Sequence, residues 1–204
     1  MNTKTILAIF LSLVATAVFA LDPPPVGSAA PDFSLADAKG KTHSLADYKG
    51  KYVVLEWFNP ECPFVKKHYG GGHMQNLQKD FTTKGVAWLT IDSNAPGMEG
   101  NLSPEQAEKV ASAWKTQQTA LLLDPDGKVG RAYGAKNTPN MVIINPEGKI
   151  VYEGAIDSKA TPNPADIPSS TNYVKAALDE SLAGKPVSNP QTKPYGCSVK
   201  YKSS

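Results

Sequence analysis

Residues 55–65 read LEWFNPECPFV, and their reading decides the fold. The apolar run from Tyr52 to Phe58 suits a strand buried on both faces, as in a parallel or mixed sheet. Asn59-Pro60-Glu61 ends that run. Behind Cys62, the stretch FVKKHYGGGHMQNLQKDF reads as helix, with Gly70-Gly71-Gly72 predicting a kink or break. Pro63 suits the first helical turn, where its missing N–H would have had no partner. Cys62 therefore stands where a strand turns into a helix. Free N–H groups and the helix dipole stabilise negative charge there, and the thiolate is the reactive form of cysteine. Lys66 lies one turn on along the same face, and Lys67 and His68 are near. These cations favour a thiolate, while Glu61 opposes it. The expectation is a reactive surface thiol with a lowered pKa; the alternative is a buried, inert one.

Outward from this junction the chain alternates strands and helices. On the N-terminal side, DFSLADAKGKTHSL predicts two short strands around Lys39-Gly40. On the C-terminal side, VAWLTID (86–92) and ALLLD (120–124) read as further buried strands. Between them, Ser103 as N-cap, Pro104 at the first position and Gln106 make a capping box that opens a helix running to Gln118. MVIIN, PEG and KIVYEG form a hairpin signal, and residues 171–183 an amphipathic helix. The pattern predicts an α/β sandwich: a central mixed sheet flanked by helices, with an N-terminal β-hairpin extension.

The ends differ from the middle. Residues 1–20 have a positive n-region (Lys4), an apolar h-region and small residues at Val18 and Ala20, so a secretory signal peptide is expected, with export to a periplasm. Residues 21–184 form the folded domain. Residues 185–204, KPVSNPQTKPYGCSVKYKSS, read as a flexible tail, too polar to add much core. No stable membrane anchor is expected, because the apolar stretch of the signal is short and no later one could span a bilayer. Net charge is +2 and no basic stripe with interleaved aromatics is present, which points away from nucleic acid. No cofactor is expected.

Two cysteines occur, Cys62 and Cys197. In an oxidising compartment such a pair tends toward a disulfide, so a structural staple is one reading of both. His43, His68 and His73 could join Cys62 in a soft metal site, as in a copper metallochaperone, but their spacing fits no ligand motif, and no metal is expected. Asp124-Pro125-Asp126-Gly127 resembles half a calcium loop without its later acidic ligand and reads as a turn.

The stretch 30–63, APDFSLADAKGKTHSLADYKGKYVVLEWFNPECP, together with 137–154, NTPNMVIINPEGKIVYEG, resembles the redoxin branch of the thioredoxin-like superfamily, shared with alkyl hydroperoxide reductases and thiol-specific antioxidant proteins. The likeness runs from Val26 to Ala183. It implies a thioredoxin-like fold, Cys62 as nucleophile, and a cis peptide bond at Thr138-Pro139 in a loop facing that cysteine and the substrate; an ordinary trans proline is the alternative. Two marks of the superfamily are missing. Val65 stands where thioredoxins carry a resolving cysteine, and Asn59 and Leu55 stand where peroxiredoxins carry threonine and proline. Arg131, the only arginine, lies several residues before the peroxiredoxin position.

CPFVKKHY and GCSVKY also resemble a subgroup of exported peroxiredoxin-like proteins, which implies Cys197 as the resolving partner. The resemblance thus implies thiol–disulfide exchange or thiol-dependent peroxide reduction. The partners would be a thiol or disulfide protein or a hydroperoxide, with an electron donor such as a thioredoxin-type reductant. The other class of reading is a binding protein on the same fold, its Cys62–Cys197 disulfide a permanent staple.

Overall fold

The computed structural model describes residues 23–203; the expected signal peptide, 1–20, lies outside the described residues. Strands β1 (Ser34–Asp37) and β2 (Thr42–Ser44) form the first hairpin, and β3 (Val53–Trp57) follows a short 3₁₀ turn. Helices α1 (Pro63–Gly70) and α2 (His73–Thr82) lead to β4 (Ala87–Asp92). After them come α3 (Pro104–Ala113), β5 (Ala120–Leu123), α4 (Lys128–Ala132) and β6 (Asn137–Thr138). The hairpin of β7 (Asn140–Ile144) and β8 (Ile150–Gly154) precedes α5 (Tyr173–Leu182), and β9 (Cys197–Ser198) lies near the end. Seven strands make one sheet in the order β2-β1-β5-β4-β3-β7-β8. β3, β4 and β5 run parallel, while β7 is antiparallel to β3, so the sheet is mixed.

Period-two alternation puts Val53, Leu55 and Trp57 on one face and Val54 on the other, with apolar cores on both sides. All five residues of β3 are buried, which is why its sequence runs apolar instead of alternating. Glu56 is the exception within that run, and it is fully buried on the face that α1 and α2 cover.

The glycine run does separate two helices. α1 ends at Gly70 and Gly72, at φ +78°, precedes α2. The capping box of α3 is formed: Ser103 Oγ accepts from Gln106 N at 3.2 Å, and Gln106 Oε1 accepts from Ser103 N at 2.8 Å. That helix stops at Ala113, five residues short of the expected Gln118. Trp114 ends it, because its ring packs against Phe58 and Tyr69 and its carbonyl accepts from Gln75 Nε2 at 2.8 Å. Lys115 then adopts φ +52° to reverse the chain.

The largest departure from expectation is the tail. It is laid onto the domain, not loose beside it. Glu153 N donates to Pro190 O and Thr192 N to Glu153 O, each at 3.0 Å, so the tail first runs along β8. It then crosses to pair β9 with β6, and Val199 is buried at 7% exposure. Its polar residues dock by backbone hydrogen bonds, which a hydrophobicity reading does not register. Among the described residues, no helix is long and apolar enough to cross a membrane.

Candidate active site

Cys62 is the N-cap residue of α1 and Pro63 the first helical residue. The Cys62 carbonyl accepts from Val65 N at 3.1 Å and Lys66 N at 2.9 Å, closing the first turn. Cys62 N donates to Asn59 O at 3.2 Å, so the Asn59-Pro60-Glu61 turn carries the chain from strand to helix. The β6–β7 segment brings Thr138 opposite. The Thr138–Pro139 peptide bond is cis, and Cys62 Sγ donates to Thr138 O at 3.1 Å.

Thr138 in turn pairs with Cys197 across the β6–β9 ladder. This register brings Cys197 to the Thr138 residue whose carbonyl faces Cys62 Sγ, and both thiols are free. Burial pushes the Cys62 thiol up. Hydrogen bonds from the Cys197 thiol, the Thr138 side chain and the backbone N–H groups of Cys197 and Val65 outweigh burial and bring it below its ordinary value. Cys197 is pushed up to about 12, first by burial and then by its hydrogen bond to Cys62 and the charge there. The pair titrates as a unit: one sulfur holds the charge and the other the proton.

These contacts correct the expected exposure and cationic surroundings of Cys62 and locate the other candidate residues. Cys62 is not a surface thiol, since its exposure is 0%. Lys67 turns away from the sulfur and donates to Asp157 Oδ2 at 2.9 Å, with both side chains fully buried. His68 brings no charge, because burial lowers its pKa to about 3 despite the neighbouring Asp157 carboxylate. Lys66 is exposed and lines a groove with Tyr69 and Trp114. Arg131 does not join the site: it donates to Asp126 O at 2.7 Å and Lys202 O at 2.9 Å and lies 4.5 Å from the Tyr201 ring. His43 is bonded to Tyr48 and Asp37 at the first hairpin, whereas His68 on α1 and His73 on α2 approach to 3.4 Å between their Nδ1 atoms. Among the described residues, no group of three or more His, Cys, Asp or Glu side chains could hold a metal ion.

The sequence reading missed two features. One is Glu56, six positions ahead of Cys62, whose carboxyl accepts from Trp88 Nε1 at 2.8 Å and Tyr69 OH at 2.9 Å. Burial raises its pKa to about 7 against those hydrogen bonds. A single carboxylate inside an otherwise apolar strand was the available signal. The other is the seating of the tail. The loop 93–102 also takes part in it, since Ala95 N donates to Lys200 O at 2.8 Å and Lys200 N to Asn94 Oδ1 at 2.9 Å.

Comparison with known proteins bears on the family and the fold. The sequence profile described as the AhpC/TSA family matches residues 26–153. The thiol-disulfide oxidoreductase ResA of Bacillus subtilis is 33% identical over 125 residues, covering 61% of this chain and 64% of that protein. The chain therefore spans a little under two thirds of that relative's length. A Mycobacterium tuberculosis protein named a "putative peroxiredoxin" is 32% identical over 139 residues, covering 61% of this chain and 81% of that one. The crystal structure of a conserved protein from Geobacillus kaustophilus superposes with a TM-score of 0.75 at 33% identity, over 88% of this chain and 94% of that one. The likeness in sequence spans the strand–helix junction at Cys62 and the Thr138–Pro139 loop, and the likeness in structure extends well beyond them. The chain belongs to the AhpC/TSA family and has a thioredoxin-like fold.

Proposed function

We propose that this protein is an exported thiol-based oxidoreductase that uses Cys62 and Cys197 as a two-cysteine redox pair. The observation that carries the reading is the convergence of both cysteines on Thr138, whose carbonyl accepts from Cys62 Sγ and which pairs with Cys197 across the β6–β9 ladder. Cys62, the more acidic, is the nucleophile. Its thiolate attacks one sulfur of a substrate disulfide, forming a Cys62–substrate S–S bond while the other substrate sulfur leaves as thiolate. Once the Cys62 sulfur is in that bond it carries no charge, which removes one of the causes that hold the Cys197 proton. Cys197 then loses its proton to the departing thiolate and attacks the Cys62 sulfur. The Cys62–Cys197 bond forms, the second substrate thiolate leaves, and two electrons have passed from dithiol to disulfide.

Reduction of a hydroperoxide would begin with attack of the same thiolate on oxygen. Thiol–disulfide exchange is the better supported of the two, because Arg131 is occupied by the tail and no other guanidinium exists to polarise a peroxide. Thr138 and cis-Pro139 form the wall that faces substrate, and Pro63 and the α1 N-terminus support the thiolate. A thioredoxin-type reductant would return the disulfide to dithiol. Residues 1–20 direct export to a periplasm, where such an external donor is needed.

A peptide map under non-reducing conditions, before and after oxidant, tests the reading. The expected result is a Cys62–Cys197 bond that forms within seconds and that a thiol reductant reverses. A bond already present that resists reduction in the native state would make the pair a staple and remove the enzyme. A sulfenic acid on Cys62 with Cys197 untouched would remove Cys197 from the mechanism.

A further inference from the structure

Tyr195 precedes Cys197 by two positions and is held from three sides. Its hydroxyl donates to Asp157 Oδ1. Asp157 is paired with Lys67, which also donates to Lys159 O at 2.8 Å and stands 5.6 Å from the centre of the Tyr195 ring. Phe64, in the first turn of α1, meets the same ring edge-on at 5.7 Å. A buried ion pair under the active-site helix thus holds the segment that delivers Cys197. While that segment is in place, Cys62 has 0% exposure, and no substrate sulfur can reach it.

We propose that Tyr195 is a positioning residue for the thiol pair: anchored by Asp157 and Lys67, it holds residues 195–199 closed across Cys62, and its release admits substrate. This rests on the Cys62–Cys197 exchange proposed above. The two ends of the segment are held differently. Beyond Cys197, the Tyr201 side chain sits in a notch made by Gly127 and Gly130, where an added Cβ would lie 2.6 Å from the ring at Gly127 and 2.3 Å from the hydroxyl at Gly130. Tyr201 OH also donates to Ala135 O at 2.7 Å. Leaving that notch requires a whole ring to move out of its seat. At the Tyr195 end, no ring leaves a closed seat: the hydroxyl contact, the Phe64 ring edge, the Lys67 ammonium and the Asn137–Gly196 hydrogen bond let go one by one. Opening therefore starts at Tyr195, with Tyr201 as the fixed end. Closing restores a high effective concentration of Cys197 at the Cys62 sulfur, which drives the resolving step.

Tyr195→Phe deletes the hydroxyl and keeps the ring. Two quantities are read on the reduced full-length protein: the rate of Cys62 alkylation by iodoacetamide, resolved by peptide mass, and the equilibrium of the Cys62–Cys197 disulfide with dithiothreitol. The expected result is alkylation faster by roughly fivefold or more, and an equilibrium shifted toward dithiol by a similar factor. Tyr201→Phe, which also loses a hydrogen bond from the tail, is expected to stay within about twofold in both. A Tyr195→Phe protein within about twofold of wild type in both, or a Tyr201→Phe protein that moves as far, overturns the proposal. If Tyr195→Phe does not fold, amide exchange in the wild type decides. Cys197 and Val199 should exchange by local opening, faster than β3, and exchange only with global unfolding would sink the idea. If wild type forms no Cys62–Cys197 disulfide, the proposed function fails, while the alkylation arm still tests the anchor.

Discussion

Gly196 faces the carbonyl oxygen of Thr138 so closely that a Cβ on it would lie 2.1 Å from that oxygen. The same oxygen accepts from Cys62 Sγ, and the next residue after Gly196 is Cys197. Backbone contact between tail and β6 is therefore possible only without a side chain at 196, and the φ of +118° adds a second reason for glycine.

Gly196→Ala should push the tail off β6. The expected outcome is a Cys62–Cys197 disulfide that forms about tenfold more slowly or worse, with a stability loss of about 1–3 kcal/mol. Oxidation followed by quenched peptide mapping, beside urea unfolding, checks both. Unchanged oxidation kinetics would mean that the ladder does not deliver Cys197.

Cys197→Ala removes the second thiol of the pair. The Cys62 pKa should rise, since one of the groups that lower it is gone while burial remains. Thiolate absorbance at short ultraviolet wavelengths, followed against pH, reads this directly. A Cys62 titration that does not move would show that the helix N-terminus and Thr138 suffice.

Glu56 predicts a pH dependence of stability. Its folded pKa, about 7, lies above the ordinary value of 4.5. Between those values the folded protein keeps a proton that the unfolded chain has released. Stability therefore falls as pH rises through this window and levels off above it, by an amount on the order of 3 kcal/mol. Glu56→Gln should flatten that slope in urea titrations at pH 5 and pH 8. Some slope will remain from Asp92, whose pKa burial also raises, to about 6. Equal slopes in variant and wild type would contradict the assignment.

Asp157→Asn leaves the Lys67 ammonium buried without a counter-charge. The cost should be about 3–5 kcal/mol. Adding Lys67→Met removes the stranded charge, so the double variant should be more stable than Asp157→Asn alone. Equilibrium unfolding of wild type, the two single variants and the double gives the coupling. A double variant no better than the single would place the loss in the tail contact, not in the ion pair.

The fold was legible because its signals are local. β3 and β4 are continuous apolar runs, the β7–β8 hairpin has its Pro-Glu-Gly turn, and α3 has its capping box. The end of α3 was not legible, since a tertiary contact of Trp114 ends it rather than any residue in the helix. Glu56 was visible as a charge in an apolar strand, but its partners Tyr69, Gln78 and Trp88 meet it only through the packing of α1, α2 and β4 on β3. The tail was misread as loose because its side chains are polar. It is held by hydrogen bonds to backbone edges and by one buried ion pair, and neither leaves a hydrophobic period.

By itself, the sequence determined that a cysteine would stand at a strand–helix junction, with proline opening the helix and a sheet behind it. Those features depend on residues that are neighbours along the chain. Only the tertiary structure decided what that cysteine would meet. Thr138, 76 positions away, supplies the carbonyl. Cys197 arrives on a strand that pairs with Thr138, and Lys67, adjacent to the site in sequence, is drawn off it by Asp157, 90 positions away. Short-range propensity sets the backbone at each point, whereas long-range pairing of burial, hydrogen bond and charge sets which side chains share a site.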